Sequence, residues 1–405
     1  MFAGTRSALP LMLGITLVTG TSCLGMRGVR ADEPATATDP DSPNPSVPEL
    51  VEQLFDARFA VRNRAAGALL RVGIDAEAEL VNARGATEVK DRQLRLDRLL
   101  EQIRGTEFQK RLTHFHAMPN PARAQRLPEW TRFSALCGDS KESLEVFGVL
   151  MESDPELYTA RLFDAAKVPA LLQSRSQALQ SHLAQKSFPS AECLNLLLLG
   201  SDGSTRLPGA TSANISEMMK DPRLAEILRD GVQRRVFESL LNEWILRPNI
   251  NTEYPLIFAA SNDLAAGRKL AARILQSGSQ RNDAVLALLY FAVRGDQTAL
   301  PLIEAAFESD RVVWPDRNGK VARQLSNGLT VDSNYRVKLC DMALVVALKI
   351  RRQDPAEFGI QVSYDAEAQR IPGGMDISRM GFESEETRSA AFDRYAAQFL
   401  ELTAE

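Results

Sequence analysis

At 405 residues the chain is long enough for two or three domains or one extended array. Hydrophobic residues make up 44%, charged residues 25%, and the formal net charge is -4, a slightly acidic balance without the basic face that nucleic-acid binders show. Aromatics at 6%, beside many Leu and Ala residues, favour helices over sheets, so an all-α fold is expected.

Arg6 precedes an apolar run over 8–26, and Val29-Arg30-Ala31 offers small residues on either side of Arg30 for cleavage before Asp32. Residues 1–31 read as a secretory signal peptide, which places the mature protein in the periplasm or outside the cell. An uncleaved anchor is the competing reading, because the run approaches the roughly 20 residues that span a bilayer. Gly20 stands where a lipoprotein signal would carry Leu before Cys23. Residues 32–46, DEPATATDPDSPNPS, are proline-rich and nearly devoid of large apolar side chains, and are expected to form a disordered tether. No later stretch is apolar for long enough to span a membrane.

Residues 46–105 carry the clearest pattern, two successive helical hairpins. Ser46 with Glu49 forms a capping box, and Pro48 sits in the first turn, where its missing amide hydrogen is no loss. Leu50, Val51, Leu54 and Phe55 then make one apolar stripe that stops near Asp56. A second helix is expected over 59–72, with Ala65, Ala66, Leu69 and Leu70 on one side and Gly73 as a left-handed cap. A third spans 75–84 up to Gly85, and a fourth spans 88–104 up to Gly105.

Laid on the fourth helix, the second pairs Phe59 with Val89, Arg62 with Arg92, Ala66 with Leu96, Leu69 with Leu99 and Leu70 with Leu100. A lone hairpin of this kind cannot bury its own stripe, so it requires neighbours. These residues resemble the HEAT family of helical repeats, in which Pro48, Asp56, Val61 and Arg62 match a Pro early in the first helix, an Asp at its end and a Val-Arg pair entering the second. The resemblance implies an α-solenoid of stacked hairpins, with Asp56 and Arg62 hydrogen-bonding between neighbouring repeats. Ala86 replaces the Asp in the second unit, so the ladder is interrupted there. Two later stretches, QDPAEFG at 353–359 and GFESEETR at 381–388, are similar to segments of uncharacterised exported bacterial helical-repeat proteins, a likeness that implies no activity.

Residues 47–118 thus form the N-terminal repeats, followed by a middle helical region over 119–278 and C-terminal repeats over 279–405. Residues 106–118 extend the fourth helix, and 119–128 break it. A hairpin over 140–152 and 155–166 follows, with Leu144, Phe147, Leu150 and Met151 inward, Asp154 capping and Pro155 opening its second helix. Further helices are expected over 168–185, 190–199, 221–228, 231–246, 253–260, 265–276, 282–293 and 298–308, with a loop over 200–213. The partner of the last helix begins only at Tyr335 and runs to Arg352, which leaves an irregular insertion near 311–334.

That insertion holds Trp314 and two Asn-Gly turn signals, at Asn318-Gly319 and Asn327-Gly328, compatible with a small hairpin. Insertions in helical repeats map to loops, often on the binding face, so Trp314, Asn318 and Arg323 are the candidate binding residues. The alternative is a loop folded back over a hydrophobic end with Trp314 as its plug. A closing helix over 385–402, capped by Ser384, is expected to bury Phe392, Tyr395, Ala396, Phe399 and Leu400.

No catalytic motif emerges: HExxH, CxxC, GxSxG and a phosphate-binding glycine loop are all missing from the sequence. GSDGS at 200–204 lacks the Lys such a loop needs. His114 and His116 diverge by about 200° on a helix, so a metal would require distant ligands, and none is assigned. Asp341 lies near Lys338 and is expected to form a solvated pair along the helix. Beyond the signal, Cys137, Cys193 and Cys340 are scattered, which suggests buried free thiols, with one disulfide as the alternative. The sequon Asn214-Ile215-Ser216 matters only where exported proteins are glycosylated.

The expected function is that of an exported interaction or scaffold protein, not an enzyme, without cofactor, whose concave surface or inserted loop holds a protein or peptide. A hydrolase assembled from scattered carboxylates and a membrane-tethered structural protein are the rivals.

Overall fold

Leu50, Val51 and Leu54 are the first buried side chains of a computed structural model that describes residues 45–230, 233–277, 281–314, 336–360, 377, 380–382 and 384–400. The stretches expected to be a signal peptide, its cleavage site and nearly all of a tether lie outside the described residues, as do Asn318, Arg323 and both Asn-Gly pairs. Residues from Val47 on form one compact unit.

The fold is all-α. The helices are α1 (Val47–Gln53), α2 (Phe59–Val72), α3 (Glu77–Ala86), α4 (Lys90–His116), α5 (Pro121–Ala124), α6 (Trp130–Cys137), α7 (Lys141–Ser153), α8 (Pro155–Phe163), α9 (Val168–Ala184), α10 (Ser190–Gly200) and α11 (Gly209–Glu217). They continue as α12 (Pro222–Asp230), α13 (Arg234–Ile245), α14 (Glu253–Asn262), α15 (Ala265–Gln276), α16 (Arg281–Arg294), α17 (Leu300–Glu304), α18 (Leu339–Ile350) and α19 (Glu385–Phe399). The only strands among the described residues, β1 (Val312–Trp314) and β2 (Val337–Lys338), form an antiparallel pair with Trp314 opposite Val337. No described helix is long and apolar enough to cross a membrane.

Local signals set the starts and stops. Asp154 accepts the Leu157 amide at 3.2 Å with Pro155 at the head of α8, Ser140 caps α7, and Ser384 forms a capping box with Thr387 at α19. Gly73 ends α2 at φ 72°, its amide bonded to the Leu69 carbonyl.

Helices close in sequence lie against one another: α1 on α2, α3 on α4, α4 on α7 and α8, α7 on α10, α9 on α10 and α11, α10 on α13, α13 on α15, and α16 on α15 and α18. Each covers a stripe its neighbour leaves open, and every fully buried Leu contributes about 2 kcal/mol of apolar transfer. At Gly267 the approach leaves no room for a side chain. A Cβ there would lie 2.5 Å from the Ala259 Cβ and 2.6 Å from the Tyr290 ring, so only glycine lets α15 close on α14 and α16.

Two separate hydrophobic clusters result. One runs from Leu50 to Ile103, the other from Phe108 to Tyr395. Helix α4 belongs to both: Leu96, Leu99, Leu100 and Ile103 enter the first, Phe108, Leu112 and Phe115 the second.

Several expectations are corrected. Gly105 does not interrupt the fourth helix, which spans 27 residues in all and runs on through the stretch expected to extend it as far as His116, because the burial of Phe108, Leu112 and Phe115 outweighs the roughly 1 kcal/mol that glycine costs a helix. Leu70 is 39% exposed, although its counterpart Leu100 is buried. The loop expected over 200–213 gives way to α11 from Gly209, with Pro208 just before it. Helix α18 starts at Leu339, since Val337 and Lys338 are in β2. Leu400 is 38% exposed beyond the end of α19.

The expected Asp56–Arg62 link is also corrected. The Asp56 carboxylate takes Arg58, while Arg62 donates to the Asp56 and Ala57 carbonyls at 2.8 Å, so both stay within one hairpin. The second hairpin reaches the first through Arg95, which donates to the Leu54 carbonyl at 2.9 Å, and through Arg92, 4.8 Å from the Phe55 ring.

Candidate functional site

The insertion is described only at its base. Trp314 is half-buried and packs against the large cluster, while Asn318 and Arg323 lie outside the described residues. Lys338 in β2 spans the base, its amine 2.9 Å from Asp310 and 3.1 Å from Glu385.

A concavity among the described residues lies elsewhere, at the waist of α4 where the two clusters meet. Helices α3, α4, α8 and the start of α9 enclose a groove of about 910 Å³. Its walls alternate apolar and charged side chains: Val81, 42% exposed, the half-buried Phe163 and Leu171, and a rim of ion pairs.

Arg84 meets Asp97 at 2.8 Å. Arg104 binds Glu77 at 2.8 Å and approaches Asp164 at 4.0 Å, which also holds Lys167 at 3.5 Å. Arg104 and Arg111 both stand just under 6 Å from the Phe163 ring, at 5.9 and 5.8 Å. The hydrogen bond that Arg84 donates to Asp97 raises its guanidinium above the ordinary value.

Helical spacing puts Asp97, Glu101, Gly105 and Gln109 in one row along α4, and all four line the groove. Gly105 leaves that row bare, since a Cβ placed there meets nothing within 4 Å. The sequence placed Gly105 inside a helical stretch continued over 106–118 but gave it no site role, because the opposite walls come from residues 155–171. The signal available was the apolar stripe continuing through Phe108 and Leu112.

GSDGS is a clamped turn. Arg247 donates to the carbonyls of Gly200, Asp202 and Thr205, Arg132 to Leu198 O and Ser201 Oγ, and Arg161 bridges Glu129 and Asp202. The Ser204 amide donates to the Asp202 carboxylate at 2.9 Å. Burial raises the Asp202 carboxyl, but the Ser204 hydrogen bonds and the Arg161 charge together hold it below the usual carboxylate range. Burial, reinforced by nearby Arg132, pulls the Arg247 guanidinium down.

His116 pairs with Glu152 at 3.0 Å and His182 lies 3.8 Å from Glu192, and the described residues hold no cluster of three or more metal-ligating side chains. Cys137, Cys193 and Cys340 are free thiols, and burial pushes Cys137 and Cys340 up to about 12. Asn214 is half-buried in α11 and donates to Ser176 Oγ at 3.4 Å. Asp341, expected in solvent, is fully buried against Arg388. Its partner is remote in sequence, and the Lys338 side chain turns away to Asp310 and Glu385.

Comparison with protein-family models, curated proteins and solved structures finds no match to this chain.

Proposed function

We propose that the chain is an exported interaction protein, a HEAT-like array of stacked helical pairs that holds a segment of a partner protein in the groove along α4. One observation carries this reading: a concavity of about 910 Å³ at the junction of two hydrophobic clusters, apolar within and ion-paired at its rim. Binding sites concentrate where packed bodies meet, and a volume of this size accepts several side chains. The serial contacts of neighbouring helices support the array, and the run over 8–26 supports export.

A photo-crosslinking amino acid at Gln109, exposed on the groove row, tests it. The expected result is a discrete crosslinked protein from envelope extract that disappears when Gly105→Leu fills the groove. A crosslinked product unchanged by Gly105→Leu overturns the assignment of the groove. Amino-terminal sequencing of the exported protein, expected to begin at Asp32, tests export.

A further inference from the structure

The chemistry of the occupant can be taken further, resting on the groove reading above. The three cations of the lining, Arg84, Arg104 and Lys167, are each already matched to a carboxylate. Of the four lining carboxylates, Asp97, Asp164 and Glu156 are matched as well, Glu156 to Arg175 at 2.7 Å. Glu101 remains. It is exposed on the groove row and has no hydrogen bond or ion pair among the described residues.

One turn further along the same row stands Gly105, where the helix backbone is bare and open. Side chains four apart on a helix are separated by about 5–6 Å. A single carboxylate and an uncovered patch of backbone thus lie side by side, with Phe163 and Leu171 in the opposite wall.

We infer that the occupant is a peptide segment of a partner protein that seats one bulky apolar side chain over Gly105 and places a Lys or Arg beside it on Glu101. The apolar side chain supplies the burial that drives association. The base supplies selection, because an acidic neighbour would face Glu101 with like charge and find every lining cation engaged.

Panning a random peptide library on phage against the full chain, then measuring the enriched peptides on two variants, tests this. Gly105→Leu occupies the open space and removes a helix-weakening glycine, so the variant folds and binding falls below detection. Glu101→Gln keeps the groove and removes the charge, and weakens binding about two- to fivefold, as raised salt does with the parent chain. The enriched peptides pair an apolar residue with a neighbouring Lys or Arg.

Peptides that lose binding to Gly105→Leu but lack a base and ignore Glu101→Gln overturn the charge assignment and leave the groove reading standing. Peptides indifferent to Gly105→Leu, or no enrichment at all, overturn both.

Discussion

Arg388 on the last helix donates to both carboxylate oxygens of Asp341, at 2.7 and 3.1 Å, across 47 residues of chain. Asp341 is fully buried and also accepts the Lys338 amide at 2.8 Å, so the pair joins the start of α18, the end of β2 and the first turn of α19. A second anchor lies further along α19, where the Tyr395 hydroxyl donates to Glu304 at 2.6 Å and accepts from Arg351 at 2.7 Å.

Arg388→Met leaves a buried carboxylate without its counter-ion, and a loss of about 3–5 kcal/mol is expected in urea unfolding. Asp341→Leu with Arg388→Met recovers most of it, because no charge is then stranded. Burial pushes the Asp341 carboxyl up, and without Arg388 only the Lys338 amide and the Cys340 thiol are left to oppose it. With its folded value above the unfolded one, the single variant regains stability as pH falls through that raised value. Equal losses in the single and double variants refute the account.

Two glycines respond in opposite directions to alanine. Gly267→Ala forces a Cβ into Ala259 and Tyr290 and costs about 1–3 kcal/mol. Gly105→Ala meets open space within a helix and stabilises by up to about 1 kcal/mol. Thermal unfolding of the two variants checks the pair of signs.

Leu69 and Leu70 are adjacent but not equivalent. Leu69 is fully buried, and Leu69→Asp costs several kcal/mol by placing an unpaired charge in the first cluster. Leu70 is 39% exposed, and Leu70→Asp costs much less, about 1 kcal/mol or under. Similar melting temperatures for the two would contradict the helix orientation.

The clamped turn makes stability depend on acid pH. The folded Asp202 carboxyl titrates below its unfolded value of about 3.9, so its contribution is present above that pH and lost as pH falls through the folded value. The gap in melting temperature between the parent and Asp202→Asn is therefore widest near neutrality and closes in acid.

The thiols of Cys137 and Cys340, raised to about 12 by burial, stay protonated at pH 8. Alkylation at that pH is slow in the folded chain and rapid in denaturant, where the thiols return to about 8.5. Mass spectrometry of alkylated protein distinguishes the two states.

What the sequence made readable was local. Capping by Asp154 and Ser384 placed helix starts correctly, and the range of α2 was read without error. Features settled by distant partners were hidden. The burial of Asp341 depends on Arg388, and the orientation of Leu70 depends on which face of α2 the first cluster covers. The groove was hidden for the same reason. Its walls come from α3, α4, α8 and α9, and one glycine that punctuates many helices here interrupts nothing.

Because α4 is shared by both clusters, its central turns are a single beam with a load fastened at either end. Any rotation of the first two hairpins must twist this beam or swing about it, and the walls at the waist open or narrow accordingly. A guest lodged there would brace the beam at its thinnest point, stiffening the first hairpins without touching their interior.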